Sequence, residues 1–436
     1  MELRTTDSLC SLISSGGTPS RKRTDFYTDG LDGHLWVKSK ELLDRSIEDT
    51  EEKITDEGLD SSSAKYFPAD TVLIAMYGAN VGQLGWLKRP ATVNQAVCGL
   101  VVNKEIASSR FVFYAFLQTR EALAAKAQGA AQQNLNQGLI REFRIPSPPL
   151  PTQQKIAAIL SAYDDLIENN LRRIKILEEM AQNLYREWFV KFRFPGHKHA
   201  RLTDSALGKI PEGWKVILLG SLIAEHIGGG WGKDVEDDKH TAPAWVIRGT
   251  DIPDARSCDF SRVPLRYHTK SNLKSRCLMP GDIVFEVSGG SKDQLLGRSL
   301  YISSELLTAF NGVPVICASF CKRIQSDSDK YASLLLYLSF LDAYVSGEIK
   351  QYQVQSTGIS NYKWSDYLEK TSRCVPPIAL QERFCELSVP MFSEIATLGR
   401  KNTILRRTRD LLLPKLISGE VDVSELDIAV TEDASA

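Results

Sequence analysis

The sequence predicts an α/β (α+β) protein. Two similar globular units are separated by two long helices packed as an antiparallel coiled coil, about a pseudo-two-fold. Three observations carry this prediction. Short motifs occur twice in the same order, two long stretches place apolar residues at helical spacing, and strand-like runs precede each stretch.

The duplication is explicit. Leu9-Cys10-Ser11-Leu12-Ile13 returns as Leu219-Gly220-Ser221-Leu222-Ile223, Trp36-Val37 as Trp245-Val246, and Pro68-Ala69-Asp70 as Pro280-Gly281-Asp282. Pro148-Pro149-Leu150 with Gln153 returns as Pro376-Pro377-Ile378 with Gln381. The offset grows from 210 residues at Leu9 to 212 at Pro68 and 228 at Pro148, so the second copy carries extra loop residues. At 436 residues the chain exceeds the size of one core, which suits two domains with connecting helices. The expected divisions are a first unit over 1–150, a first long helix over 151–192 and a linker over 193–216. A second unit over 217–375, a second long helix over 376–419 and a carboxy-terminal tail over 420–436 follow. Thr71 to Met76 and Asp282 to Val287 read as strands, and Arg110 to Gln128 as a helix.

After Pro148-Pro149-Leu150-Pro151 no Gly or Pro occurs until Pro195, and the prolines suit a helix entrance. A heptad frame from Ile156 runs through Leu160, Tyr163, Ile167, Asn170, Ile174, Leu177, Ala181, Leu184 and Trp188. The frame shifted by 228 runs through Phe384, Ser388, Met391, Ile395, Leu398, Asn402, Leu405, Arg409, Leu412 and Leu416. Each stripe needs cover, and mutual packing supplies it. Setting Asn170 against Asn402 fixes an antiparallel register with Leu160 near Leu412 and Leu184 near Ser388; the alternative leaves both asparagines facing water. Pro390 and Gly399 are expected to bend or loosen the second helix.

Composition excludes several classes. No apolar run reaches the roughly 20 residues of a membrane span, and the polar Met1-Glu2-Leu3-Arg4 start is unlike a secretory signal. The expected compartment is the cytoplasm, with no membrane partner. Eight cysteines form no C-x-x-C pair, so neither a disulfide scaffold nor a zinc site is implied, and Cys317 and Cys321 read as small buried thiols. Nine acids between Glu41 and Asp60 read as a solvated face turned away from any polyanion. Ser147-Pro148-Pro149-Leu150 imitates the Pro-Pro-aromatic pocket of adenine methyltransferases but lacks the aromatic residue. Gly228-Gly229-Gly230-Trp231-Gly232-Lys233-Asp234 fails the phosphate-loop spacing at Ile227 and Asp234. It and Gly16-Gly17-Thr18-Pro19-Ser20-Arg21-Lys22 set backbone amides beside cations, which suits either a plain turn or a grazing phosphate contact.

At this point a family resemblance emerges. The helix entrances, Leu184-Tyr185-Arg186-Glu187-Trp188-Phe189-Val190, Leu207-Gly208-Lys209-Ile210-Pro211-Glu212-Gly213-Trp214 and Leu411-Leu412-Leu413-Pro414-Lys415-Leu416-Ile417-Ser418-Gly419-Glu420 resemble the specificity subunit of type I restriction-modification enzymes. The resemblance implies two target recognition domains on double-stranded DNA, each reading half of a bipartite asymmetric site, with the helices setting the gap. It implies no catalytic centre and no cofactor in this chain. Two methyltransferase subunits and restriction and translocase subunits would dock on it, bringing S-adenosylmethionine, ATP and Mg. The rival readings are a self-contained DNA methyltransferase or nuclease, and a coiled-coil assembly scaffold.

Base edges are read by polar side chains on placed loops. In the first half the candidates are Thr18, Ser20, Arg21, Lys22, Arg23, Tyr77, Asn80, Asn94, Gln95, Gln132, Gln133, Asn134 and Asn136. In the second half they are Trp231, Lys233, Arg248, Thr250, Ser288, Ser291, Lys292, Asn311, Gln355, Ser356, Thr357, Ser360 and Asn361. Amide-rich Gln132 to Asn136 is set against hydroxyl-rich Ser356 to Ser360, so the half-sites are expected to differ. Any single Asn or Gln in a loop more often caps a turn than reads a base. Arg21→Ala or Lys292→Ala is expected to lower affinity and flatten the salt slope by about one.

Overall fold

The computed structural model describes residues 2–30, 32–127, 134–289, 294–356 and 358–430. The chain forms two compact units, Met1–Ile167 with Leu405–Ala436, and Glu168–Ile404. Among the described residues no helix is long and apolar enough to cross a membrane.

In the first unit the strands are β1 (Cys10–Ser15), β2 (His34–Val37), β3 (Arg45–Ile47), β4 (Val72–Ala75), β5 (Leu84–Leu87), β6 (Ala91–Val93) and β7 (Val97–Val102). One sheet runs β1-β7-β4-β5-β3, antiparallel except for the β5/β3 pair. The other has β2 parallel to β6 at its centre. Helix α1 (Ser109–Ala124) follows, started by the Ser108 hydroxyl accepting from the Phe111 N–H, and then α2 (Leu150–Tyr185). Every residue of β4 is apolar because both its faces are covered. Val72 and Ile74 join the core with α1, while Leu73 and Ala75 join the core between the sheets.

The second unit repeats this plan with β8 (Ile223–Gly228), β9 (Ala242–Ile247), β10 (Ile283–Glu286), β11 (Ser299–Tyr301), β12 (Val315–Cys317) and β13 (Cys321–Ser326). Its helices are α3 (Ser333–Ser346) and α4 (Ile378–Ser418). The main sheet runs β8-β13-β10-β11, and β9 pairs parallel with β12. Ile283 and Phe285 face one core and Val284 another, as in β4. Cys317 and Cys321 lie fully buried, and burial pushes the Cys317 thiol up to about 12.

The ladders correct the frame of the duplication. β1 meets β7 with an irregular step, so that Val102 pairs with Cys10 and Val101 with Leu12. β8 meets β13 with the same step, Ser326 on Ile223 and Gln325 on Glu225. Cys10 therefore corresponds to Ile223, three residues beyond the partner suggested by the matching pentapeptides. Val37 pairs with Val93, and Ile247 with Cys317, so Trp36 and Trp245 stand one place apart. Left-handed Asp70 (φ 64°) corresponds to Gly281 (φ 91°), not to Asp282. Ladder geometry, which pairs distant strands, overrides short runs of similar letters.

The glutamines of the two Pro-Pro motifs match in structure as in sequence. Gln153 Oε1 accepts from the Ser108 N–H at 3.1 Å, and its Nε2 donates to Pro148 O at 2.9 Å. Gln381 Oε1 accepts from the Ala332 N–H at 2.8 Å, and its Nε2 donates to Pro376 O at 2.9 Å. Each buried amide ties a long helix to the residue that starts the domain helix, satisfying backbone groups that would otherwise be orphaned.

The long helices pack antiparallel. Within the second unit Asn170 Nδ2 donates to Asn402 Oδ1 at 2.8 Å, both side chains being buried. Ile174 clusters with Ile395 and Leu398, and Trp188 meets Phe384 edge-on at 5.7 Å. Within the first unit Leu160 is buried with Leu413, Leu416 and Ile417. Pro390 and Gly399 do not interrupt α4. A Cβ on Gly399 would lie 2.2 Å from Cys258 Cβ, so the glycine admits the Ser257-Cys258 turn against the helix. Gly399→Ala is expected to cost about 1–3 kcal/mol through overpacking, read as a lower urea midpoint with an unchanged slope. A midpoint equal to the parent's would disprove the close contact. The carboxy-terminal segment is tied down within the first unit, where Val423 is buried and Lys155 Nζ donates to Ser424 O.

Candidate nucleic-acid interface

In the first unit one backbone crossing gathers the candidate loops. The Gly17 N–H donates to Val93 O at 3.1 Å, and a Cβ on Gly16 would fall 1.8 Å from that oxygen, so only glycine fits. Thr18 then reaches Gln95 through its hydroxyl. The Met76 N–H donates to Ala96 O at 2.8 Å, laying the Tyr77 turn beside Asn94 and Gln95. Asn134 bridges the Tyr77 backbone, and Asn80 Nδ2 donates to Ser39 O at 3.3 Å. Thr18, Tyr77, Asn80, Asn94, Gln95 and Asn134 thus share one run of touching loops. Like Asn80, two more amides are committed to the backbone: Asn94 accepts from the Ala96 N–H, and Asn136 caps a short helix through the Leu139 N–H at 2.9 Å.

Two acids of the Glu41 to Asp60 run, Glu52 and Glu57, do not face away from these cations, although most of the run is exposed. Both nitrogens of the Arg21 fork donate to Glu52 at 2.9 Å, and its guanidinium lies over the Tyr27 and Trp36 rings at 4.2 and 5.0 Å. Glu52 also accepts from Lys38 at 2.8 Å. Arg21, and after it Lys38, hold the Glu52 carboxyl down to about 2, so it is charged throughout the neutral range. Arg23 is held by Asp25 and Glu57. Charge on these arginines is balanced on the spot, because folding brings residues some thirty positions apart into bidentate range. Exposed Ser20 and Lys22 flank them, and the Lys22 ammonium is unpaired among the described residues.

The second unit builds the same crossing. The Gly230 N–H donates to Cys317 O at 2.9 Å, and a Cβ on Gly229 would fall 2.1 Å from that oxygen. Trp231, half exposed, carries the Arg266 guanidinium 4.4 Å above its ring. Lys233 exchanges backbone hydrogen bonds with Tyr267 and leaves its ammonium unpaired among the described residues. Arg248 is fixed by Asp251 and donates to Arg262 O at 2.7 Å, with Thr250 exposed in the following turn. The Val287 and Ser288 N–H groups both donate to Phe320 O, at 2.9 and 3.2 Å. The Ser288 hydroxyl donates to Asn361 Oδ1, Ser360 is buried, and Gln355 is exposed opposite it.

Asn311 does not join this group. It occupies a left-handed turn (φ 52°) ahead of β12, whereas Arg248 leaves the far end of β9, and parallel pairing puts those points at opposite ends. The place equivalent to Asn94 is Ala318. Asn134 corresponds to Asn361, since Leu135 donates to Met76 O as Tyr362 donates to Val287 O, both at 2.9 Å. The amide-rich and hydroxyl-rich segments are therefore not aligned as the sequence suggested. The differences between the copies lie instead at Thr18 and Trp231, Ser20 and Lys233, Tyr77 and Ser288, and Ala96 and Phe320. Gln132, Gln133, Ser291, Lys292, Thr357 and the Ser356 side chain lie outside the described residues.

Sequence reasoning missed Lys38 and Phe320. Lys38 holds the place of Arg248, and in both copies an acid three residues on accepts the strand-end N–H, Glu41 at 2.8 Å and Asp251 at 2.9 Å. That basic-x-x-acidic signature after each central strand could have revealed it.

Residues 1–179 match the family described as Type I restriction modification DNA specificity domain. The MjaIX type I restriction enzyme specificity subunit of Methanocaldococcus jannaschii is 28% identical over 426 residues, covering 95% of this chain and 92% of that one. The EcoR124I/EcoR124II specificity subunit of Escherichia coli is 27% identical over 187 residues, 41% of this chain and 46% of its own. Among solved structures, the type I restriction-modification S subunit from M. genitalium superposes with a TM-score of 0.54 at 16% identity, covering 95% of both chains. That likeness supports the fold.

Proposed function

We propose that this chain is a specificity subunit of the type I restriction-modification kind and that it reads DNA through two unlike loop surfaces, one per domain. The chain is a DNA sequence-recognition subunit and is itself non-catalytic. Its two recognition domains, 1–150 and 217–375, each take one half of a bipartite, non-palindromic site. The helices over 151–192 and 376–419 set the spacing between them, with 193–216 as linker and 420–436 as tail. Two methyltransferase subunits and the restriction and translocase subunits dock on this scaffold in the cytoplasm, and S-adenosylmethionine, ATP and Mg are handled there.

One observation carries this reading. The same glycine crossing is built twice, at Val93 and at Cys317, and different side chains stand on it each time. A shared backbone supports a common docking mode, and changed side chains on it change the bases read. Mapping modified adenines across the genome with and without this gene tests the reading. A bipartite motif that vanishes with the gene is the expected result; an unchanged methylation map would refute it.

The unpaired ammonium groups should supply the salt-dependent part of binding. Lys22→Ala and Lys233→Ala are each expected to reduce the slope of log K against log salt by ~0.9. Arg21→Ala, for which the sequence suggested a change of about one, should change it less, because the Arg21 guanidinium is already engaged by Glu52. Titrations at four salt concentrations check this, and slopes identical to the parent for both lysine variants would exclude phosphate contact at these loops.

A further inference from the structure

On the reading above, the loop junction assigns a base-reading role to a residue that no polar pattern marks. We infer that Phe320 reads a thymine through its 5-methyl group, within the half-site taken by the second domain. Phe320 is 55% exposed although its backbone is firmly held, its carbonyl accepting from both Val287 and Ser288 at 2.9 and 3.2 Å. Its carbonyl places it beside Ser288, which pairs with Asn361, and Ala318, two residues before it, bonds through its N–H to Ile247 O, next to Arg248. An apolar ring therefore stands out of the core among polar candidates for base contact.

The first domain treats the same junction in complementary fashion. Its equivalents of Ser288 and Phe320 are Tyr77 and Ala96, tied by the Met76 N–H to Ala96 O bond at 2.8 Å. There the ring comes from the opposite strand, and Tyr77 is 38% exposed. Each copy thus presents one aromatic ring at one backbone position, supplied from alternate sides. A phenyl ring has neither donor nor acceptor, so the feature of a major-groove edge that it can distinguish is the thymine methyl. Covering one methyl is worth about four-fold in affinity.

The test uses the full chain assembled with its methylating subunits. Methylation mapping of the parent and of Phe320→Ala first locates the motif and the position that relaxes. Binding is then measured on a duplex carrying that motif, with each thymine of the half-site replaced in turn by deoxyuridine. One substitution is expected to weaken the parent about four-fold and to leave Phe320→Ala unaffected, while Phe320→Leu keeps most of the discrimination. Unchanged recognition of the other half-site shows that the variant is folded. A parent motif with no deoxyuridine-sensitive position, or one equally sensitive in Phe320→Ala, would overturn the inference. A parent that yields no motif would instead overturn the DNA-recognition reading itself.

Discussion

Asp282→Ala is expected to destabilise the second unit by about 3–5 kcal/mol, the cost of leaving a buried charge without its partner. Asp282 is 2% exposed; its Oδ2 accepts from Arg323 Nε at 2.8 Å and from the Met279 N–H at 2.7 Å. Arg323, itself 8% exposed, is left among the described residues with its bond to Ser275 O at 3.0 Å when the carboxylate is gone. The first unit shows that the fold does not require this ion pair. There the equivalent places hold Thr71, whose hydroxyl donates to Pro68 O at 2.8 Å, and Gly99, packed under the Phe67 ring. Asp282→Ala combined with Arg323→Met should therefore recover most of the loss, because apolar volume replaces the charge. Urea unfolding of both variants decides the matter. A double variant as unstable as the single would mean that the pair supports the site by geometry and not by mutual neutralisation.

The second large effect lies in the seam of the long helices and reverses sign between single and double variants. Asn402→Leu should cost about 1–3 kcal/mol, since Asn170 Nδ2 loses its buried acceptor. Asn170→Leu with Asn402→Leu should match or exceed the parent in stability, because a leucine pair fills an apolar seam without desolvation cost. The gain should come with looser alignment, read as broadened distance distributions between spin labels placed on α2 and α4. A double variant that is less stable than either single would contradict a selection role for the amide pair.

Legibility differed sharply between features. The heptad frames, the helix entrances at Pro148 and Pro376 and the buried strands at Thr71 and Asp282 were readable because their physics is local. Period 3.6, period 2 and proline's missing N–H all act within a few residues. The Asn170 and Asn402 pairing was readable as well, since two seams with one asparagine each admit few registers. The glutamines were visible as repeats, but their task was not. Gln153 reaches 45 residues back to Ser108, and Gln381 49 residues back to Ala332. The frame of the duplication was misread by one to three residues at three motifs, because side-chain similarity on a strand tolerates a slip that backbone pairing does not.

By itself, then, the sequence determined that this protein is a doubled unit with two long helices, and its motifs carried the resemblance to type I specificity subunits. Tertiary structure decided which loop residues meet. Thr18 finds Gln95 across 77 residues and Ser288 finds Asn361 across 73, while Asn311 is carried to the other end of its strand. It also decided that Arg21 is neutralised by Glu52 and that Arg23 meets Glu57, leaving Lys22 and Lys233 unpaired on these loops among the described residues. The reason is physical: periodicity is written along the chain, whereas charge pairing and loop contact depend on which distant strands share a sheet.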